Sequence, residues 1–428
     1  MDIYDIAIIG AGPAGIMAAV RAAQLSKKVI LIERNDIVGK KILLTGRGRC
    51  NITNSAKLDT FIENFGYTGQ FLRTAFSAFS NEDLMDFFKS KGVELKTERQ
   101  GRVFPVSDRS SCVTHALAEA LKENKVEIRF KTRLRDIKKK NDSFVLDIDS
   151  AEPITAKKVI LATGGASYRD TGSTGEGFQI VKRLGHAVTP LSGGLVPLKT
   201  KEVWVKDLQG LTLKNVRVVF VFGSKKITSG VGELLFTHFG VSGPLILDLS
   251  NKIVALFEEY KEINLFIDLK PGIKHEEMED KLLKEFKEHG GKEIKNILSE
   301  WLPFALAPMI MRLTGISNHK RASQIGKDER RALAKILKAL PLTVTGALPL
   351  EEAMVTCGGV SKNEINPRTM ESKLIPGLYF AGEMIEGGAS SGGYNLQQAF
   401  STGYLAGERI TRKMQSGFTV DTPTCYAL

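Results

Sequence analysis

The chain has 428 residues, of which 43% are hydrophobic and 25% charged, with a formal net charge of +12. That composition excludes a disordered chain, and the length predicts two or three domains. Four cysteines, Cys50, Cys112, Cys357 and Cys425, lack CxxC or metal-ligand spacing, which excludes a disulfide framework, a zinc site and the paired redox cysteines of disulfide reductases.

Tyr4-Asp5-Ile6-Ala7-Ile8-Ile9 reads as a buried parallel strand beginning almost at Met1, so no signal peptide is expected and the protein is read as cytoplasmic. Gly10-Ala11-Gly12-Pro13-Ala14-Gly15 follows and opens into an alanine-rich helix over Gly15 to Ala23. Gly10 suits a tight turn, Gly12 lets backbone approach a pyrophosphate, and Gly15 permits close helix–strand packing. The helix N-terminus presents N–H groups to phosphate, so Gly10, Gly12, Pro13, Ala14 and Gly15 are assigned to a dinucleotide. A second buried strand, Lys28 to Glu33, ends in a carboxylate about twenty residues beyond the glycines, where an acid hydrogen-bonds a ribose hydroxyl.

An NAD domain would continue into a helix and another strand. Here the chain instead enters Arg34, then Val38-Gly39-Lys40-Lys41, then a run from Leu43 to Asn54 alternating glycine, arginine and asparagine. Lys40, Lys41, Thr45, Gly46, Gly48, Arg49, Cys50 and Asn51 are expected, with Arg34, to wrap a long diphosphate ligand. Cys50 has no partner cysteine and is expected to pack within that loop. Val126–Phe130 and Phe144–Ile148 read as strands, and Leu134 is placed to line an adenine pocket. The Lys138-Lys139-Lys140 run reads as a solvated face, so nucleic acid is not the expected partner. Lys157 to Leu161 forms a strand leading into Ala162-Thr163-Gly164-Gly165, small residues that let backbone run beside a ligand.

Val216–Phe222, Lys225–Ile227 and Ile263–Leu269 carry strand patterns, whereas His275 to about Leu340 shows apolar positions repeating at helical spacing. Trp301–Leu313 is too short to span a bilayer, contains Pro303 and Pro308, and reads as core. Near the C-terminus, Pro376 to Glu383 reads as a strand ending in an acid. A glycine-rich turn follows, then Gly392 to Phe400 leads into a helix extending to about Met414. The start of that helix places positive potential where a reduced flavin carries negative charge at its N1/O2 edge. Gly382 and Glu383 are assigned to the ribityl chain, and Gly393, Tyr394, Asn395 and Leu396 to the ring. One half of the ligand is thus read at each end of the chain, and FAD rather than NAD follows. Gly172–Gly177 has no strand of its own before it, so NAD(P)H is expected only as a reductant docking transiently.

Together these segments resemble the BaiN/RdsA-type NAD(P)/FAD-dependent oxidoreductases, bacterial flavoproteins related to aminoacetone oxidase. The likeness runs through Thr45–Asn54, Gly101–Pro105, Ala162–Gly177, Leu235–Pro244, Val355–Val360, Thr369–Glu383 and Gly392–Gln397. It implies an α/β fold in which both chain ends form a Rossmann-like FAD-binding domain, with an inserted β-rich domain carrying a helical subdomain. The expected division is residues 1–190 for the N-terminal segment of the FAD domain, 191–272 for the β-rich middle domain, 273–340 for the helical insertion and 341–428 for the return to the β-domain edge and the C-terminal segment of the FAD domain. The acidic, Asp-containing turn that the family carries after Ala-Gly-Glu reads here Met384 to Ser391, without aspartate.

No serine–histidine–acid triad stands out and no metal site is expected. His238, between Thr237 and Phe239, is the candidate proton donor, and Arg102 and Tyr168 are candidate binders of an anionic or carbonyl substrate. The expected activity is oxidation or reduction of a small organic substrate: NAD(P)H-linked reduction of C=C or C=O, or amine oxidation with dioxygen. The alternative is a flavin-dependent RNA-modifying enzyme.

Overall fold

In the computed structural model the described residues are 3–25, 28–149 and 152–411. Cys425 and the predicted helix end at Met414 lie outside them. The first sheet runs in the order Glu127–Arg129, Val29–Ile32, Ile3–Ile9, Ile154–Leu161, Ser143–Ile148 and Leu134–Lys140. The first four of these strands are mutually parallel. Val29–Ile32 is buried along its whole length, as a strand covered on both faces must be.

The strand Ile154–Leu161 organises the join between the chain ends. Its first half pairs antiparallel with Ser143–Ile148, while Val159, Ile160 and Leu161 pair in parallel with Leu378, Tyr379 and Phe380. A three-residue strand from far along the chain therefore completes the first sheet. The helix that follows it, Tyr394–Arg409, lies against the N-terminal helix Pro13–Gln24. A side chain on Gly403 or Gly407 would run into the backbone at Ala14 or Ala18, so two glycines four apart set the close approach of the helices.

A closed barrel follows the order Leu198–Thr200, Gly240–Ser242, Lys225–Thr237, Thr212–Phe222, Ile263–Asp268 and Leu340–Ala347. Between its last two strands the chain forms the helices His275–Glu288, Ile294–Trp301, Leu306–Thr314 and Lys327–Lys338. Their apolar faces, including Met278, Leu282, Ile297, Ile310 and Leu337, share one core with barrel residues such as Phe220 and Leu265. Pro308 falls in the first turn of Leu306–Thr314, where a missing N–H costs nothing. A further helix, Pro244–Leu256, opens after Gly243 and packs on the strand Lys225–Thr237. Among the described residues no helix is long and apolar enough to cross a membrane.

Candidate active site

The turn after Ile3–Ile9 is built by sterics. Gly10 has φ of +100°, and a Cβ there would sit 2.5 Å from the Ala162 carbonyl oxygen, so only glycine lets the two strand ends converge. Gly15 faces the Gly10 carbonyl in the same tight packing. Gly12 differs: a Cβ there would meet nothing within 4 Å, so its backbone borders open space. Pro13 is the first helical residue, and the first turn carries no acid. The N–H groups of Ala14 and Gly15 have no acceptor inside the helix, as at any helix start.

Gly10, Gly12, Pro13 and Ala14 line a cleft of about 1440 Å³, counted to its open mouth. Glu33, Arg34, Lys40, Lys41, Thr45 and Leu134 line it too, as do Ala162, Thr163 and Gly164. From the other end of the chain Gly382, Glu383, Asn395 and Leu396 complete it. Residues more than 380 positions apart in sequence therefore share one wall system.

Glu33 is 7% exposed and ties the turn together. One carboxylate oxygen accepts the Ala11 N–H at 2.7 Å; the other accepts the Asn35 N–H at 2.7 Å and its side-chain amide at 2.8 Å. A carboxylate offers about four lone-pair sites, so acceptor capacity remains for a ligand hydroxyl. Arg34 donates to the Thr174 hydroxyl at 2.9 Å and pairs with Glu176 at 3.5 Å, closing that end of the cleft. At the opposite end Glu383 accepts the Thr356 N–H at 2.6 Å and the Gly165 N–H at 3.3 Å, and pairs with Lys41 at 3.0 Å. Lys41 also donates to Ser167 at 2.8 Å.

The remaining expected residues support the cleft from outside its lining. Arg49 pairs with Glu98 at 2.8 Å and lies 4.1 Å above the Phe104 ring. Gly46 and Gly48 shape the same turn, both with positive φ. Cys50 is 1% exposed, and burial pushes its thiol up to about 12. Asn51 Oδ1 is buried with no hydrogen-bond partner among the described residues. Gly393 has φ of +96° and is pressed against the Thr53 backbone, where any side chain would collide. Tyr394 turns away into an aromatic cluster, edge-on to Phe61 at 4.9 Å.

None of the three candidate catalytic residues lines the cleft. His238 occupies the exposed turn between Lys225–Thr237 and Gly240–Ser242, edge-on to Phe239 at 4.8 Å. Tyr168, with φ of +54°, places its ring 5.9 Å from the Lys41 ammonium, and burial raises its pKa. Arg102 donates to the Arg99 carbonyl at 3.2 Å. Sequence reasoning missed Asn35, Thr356 and Ser167, which hold the two cleft acids. Thr356 stood inside the Val355–Val360 motif, but nothing local told it apart from a core strand residue. Among the described residues no group of histidine, cysteine or acidic side chains could hold a metal.

A family model described as HI0933-like protein Rossmann domain matches residues 4–409. A 3-dehydro-bile acid delta(4,6)-reductase of Clostridium scindens is 33% identical over 415 residues, covering 95% of this chain and 99% of that protein. A ribosomal RNA dihydrouridine synthase of Escherichia coli is 30% identical over 413 residues, covering 96% and 98%. Two solved structures share the fold: a flavocytochrome c3 fumarate reductase (TM-score 0.52, 18% identity, 96% of this chain and 78% of that one) and a 3-ketosteroid delta1-dehydrogenase from Sterolibacterium denitrificans (TM-score 0.53, 13% identity, 96% and 100%). With the glycine turn, Glu33 and the C-terminal wall converging on one cleft, the chain belongs to the HI0933-like family and is a FAD-dependent oxidoreductase.

Proposed function

We propose that this protein reduces a carbon–carbon double bond conjugated to a carbonyl, using FAD re-reduced by a transiently docked NAD(P)H, in the cytoplasm. The pair of near-full-length relatives carries this reading. One is named for reducing Δ4,6 bonds of a 3-dehydro-bile acid, the other for making dihydrouridine in ribosomal RNA. Both names describe saturation of C=C in conjugation with C=O, on otherwise unrelated molecules.

The residues present fit FAD. Open space over Gly12 suits a diphosphate, and the cleft-lining cations Lys40 and Lys41 suit its charge. When bound, FAD supplies hydride chemistry at N5. The helix start at Ala14 would hold the diphosphate, and Glu33 would take a ribose hydroxyl on its spare lone pairs. Lys41 and Glu383 would hold the ribityl chain, and the N-terminus of Tyr394–Arg409 would offer positive potential to the reduced ring. Tyr168, whose ring lies 5.9 Å from the cleft-lining Lys41 ammonium, and Arg102, paired through its strand with Asn54, serve as substrate binders, and His238 is left out because it sits in an exposed turn of the barrel.

The net charge of +12 favours a second reading in which the conjugated ring is a uracil in RNA. Peroxide and NAD(P)H followed together in air test the first. A conjugated enone should speed NAD(P)H oxidation without matching peroxide, whereas amine-dependent peroxide release would overturn it. RNA binding that weakens steeply with salt, and uridine-dependent NAD(P)H oxidation, would promote the second.

A further inference from the structure

The helix Pro244–Leu256 leaves the barrel at the Ser242-Gly243-Pro244 corner and brings Asp248 to the Met384–Ser391 turn that precedes Gly392 and Gly393. Asp248 is half-buried there, and one of its oxygens accepts the Ser391 N–H at 2.9 Å. Arg102, from the strand Arg102–Pro105, acts on Asp248 electrostatically without forming an ion pair with it. Tyr394 comes from a third direction, the start of the C-terminal helix. Neighbouring contacts join this cluster to the cofactor loop. The Asn54 amide donates to the Gly392 and Gln100 carbonyls, both at 3.0 Å, and Gly393 rests on Thr53. Arg102 and Tyr394, from separate segments, thus lie within electrostatic reach of Asp248, beside the turn whose Gly387 and Gly388 line the cleft.

Resting on the reductase reading above, we infer that Asp248 is the proton donor of the reaction, with Arg102 as the group that polarises the substrate carbonyl. The double bond takes a hydride at its β-carbon and the Asp248 proton at its α-carbon. The Arg102 guanidinium donates to the carbonyl oxygen as negative charge gathers there, and Asp248 is then reprotonated from water. The hydride, which carries both electrons, comes from NAD(P)H by way of FAD, and the proton comes from water through Asp248, so the sum is addition of two hydrogens.

Burial raises the Asp248 pKa, opposed by hydrogen bonds from Ser391 and by the positive charge of Arg102. Among the described residues, Arg102 and Tyr394 are the titratable groups acting on it. Carrying a proton at a higher pH than an ordinary aspartate is what a donor needs.

The test uses the holoenzyme with Asp248→Asn and Arg102→Gln. Asparagine still accepts the Ser391 N–H through its amide oxygen, so the turn is kept and only the proton is removed. The visible spectrum of the bound oxidised flavin, titrated with pH, should show a one-proton transition that is lost in Asp248→Asn. Its midpoint should rise in Arg102→Gln, because the cation that favours the carboxylate is gone. No transition, or one that persists in Asp248→Asn, overturns the inference. Reoxidation of the photoreduced enzyme by cyclohex-2-en-1-one should slow by about 100-fold or more in Asp248→Asn, with reoxidation by dioxygen unchanged. Equal loss of both, or of neither, overturns the donor role. If the wild-type flavin ignores the enone, the reductase reading fails, and the spectral titration alone decides Asp248.

Discussion

Glu33→Gln changes one oxygen to an amide nitrogen at the point where the glycine turn meets the second strand, beside the proposed ribose position. In the wild type the carboxylate accepts from Ala11 N–H, Asn35 N–H and the Asn35 amide, all within 2.7–2.8 Å. Glutamine keeps one acceptor oxygen, which can still face the two Asn35 donors, but as neutral bonds. That exchange costs about 1 kcal/mol or more, given about 1.5–3 for a charged partner against about 0.5–1.5 for a neutral one. The new NH₂ then faces the Ala11 N–H, donor to donor, and a buried unsatisfied donor costs about 1–3 kcal/mol. Together the turn loses about 2–4 kcal/mol, and on the proposed reading the ribose would also lose its charged acceptor. Two assays read this: urea unfolding of the apoprotein, where the midpoint should fall with an unchanged slope, and FAD retention after dialysis, where affinity should drop by at least about tenfold per 1.4 kcal/mol lost. Asn35→Ala is the control: it removes the side-chain bonds to Glu33, the Thr171 carbonyl and Lys40 but keeps the carboxylate and its bonds from the Ala11 and Asn35 N–H groups, so FAD retention should fall less. An unchanged midpoint and full FAD occupancy in Glu33→Gln would refute both halves of the reasoning.

Gly393→Val forces a β-branched residue into φ of +96° against the Thr53 backbone. It should cost about 1–3 kcal/mol from backbone strain alone and reduce flavin content; wild-type occupancy and melting temperature would contradict this. Cys50 should resist maleimide at pH 8, since burial pushes its thiol up to about 12, whereas the half-buried Cys112 should react first. Mass mapping that finds Cys50 labelled as fast as Cys112 would count against that packing. His186 is 3% exposed, bonded to Ser372 at 2.7 Å, and burial lowers its pKa. The unfolded chain therefore takes up a proton at this site first, and stability should fall as pH drops below 6.5 toward the lower folded value. Denaturation across that window should give a shallower slope for His186→Gln than for wild type, and equal slopes would remove His186 as a cause.

What the sequence makes legible is what local physics determines. The run Ile6 to Gly15 states its strand, turn and helix because burial on both faces, φ at Gly10 and helix propensity all agree. Glu33 follows from spacing, and the helical insertion from apolar residues at positions three and four apart. Pairing between distant segments leaves no such mark. Leu378–Phe380 is three residues long, and nothing in it tells that it pairs with half of Ile154–Leu161 while a hairpin takes the other half. Barrel closure likewise depends on Leu198–Thr200 meeting Leu340–Ala347. Gly403 and Gly407 carried a readable signal, two small residues four apart on a helix, whose partner surface no local pattern names. His238 drew attention as a lone histidine in an apolar stretch, yet the chain reverses there and exposes it. Asp248 has the opposite history: an ordinary acid on an ordinary helix, whose place depends on the barrel bringing it to Ser391.

The measurement that bears most directly on the central claim is mass analysis of products after the anaerobically reduced holoenzyme is given a molecule carrying both an isolated ketone and a C=C–C=O group. The account predicts a gain of two hydrogens at the conjugated double bond, with both carbonyls retained and the flavin returned to its oxidised spectrum. Reduction of a carbonyl to an alcohol with the double bond intact would contradict it.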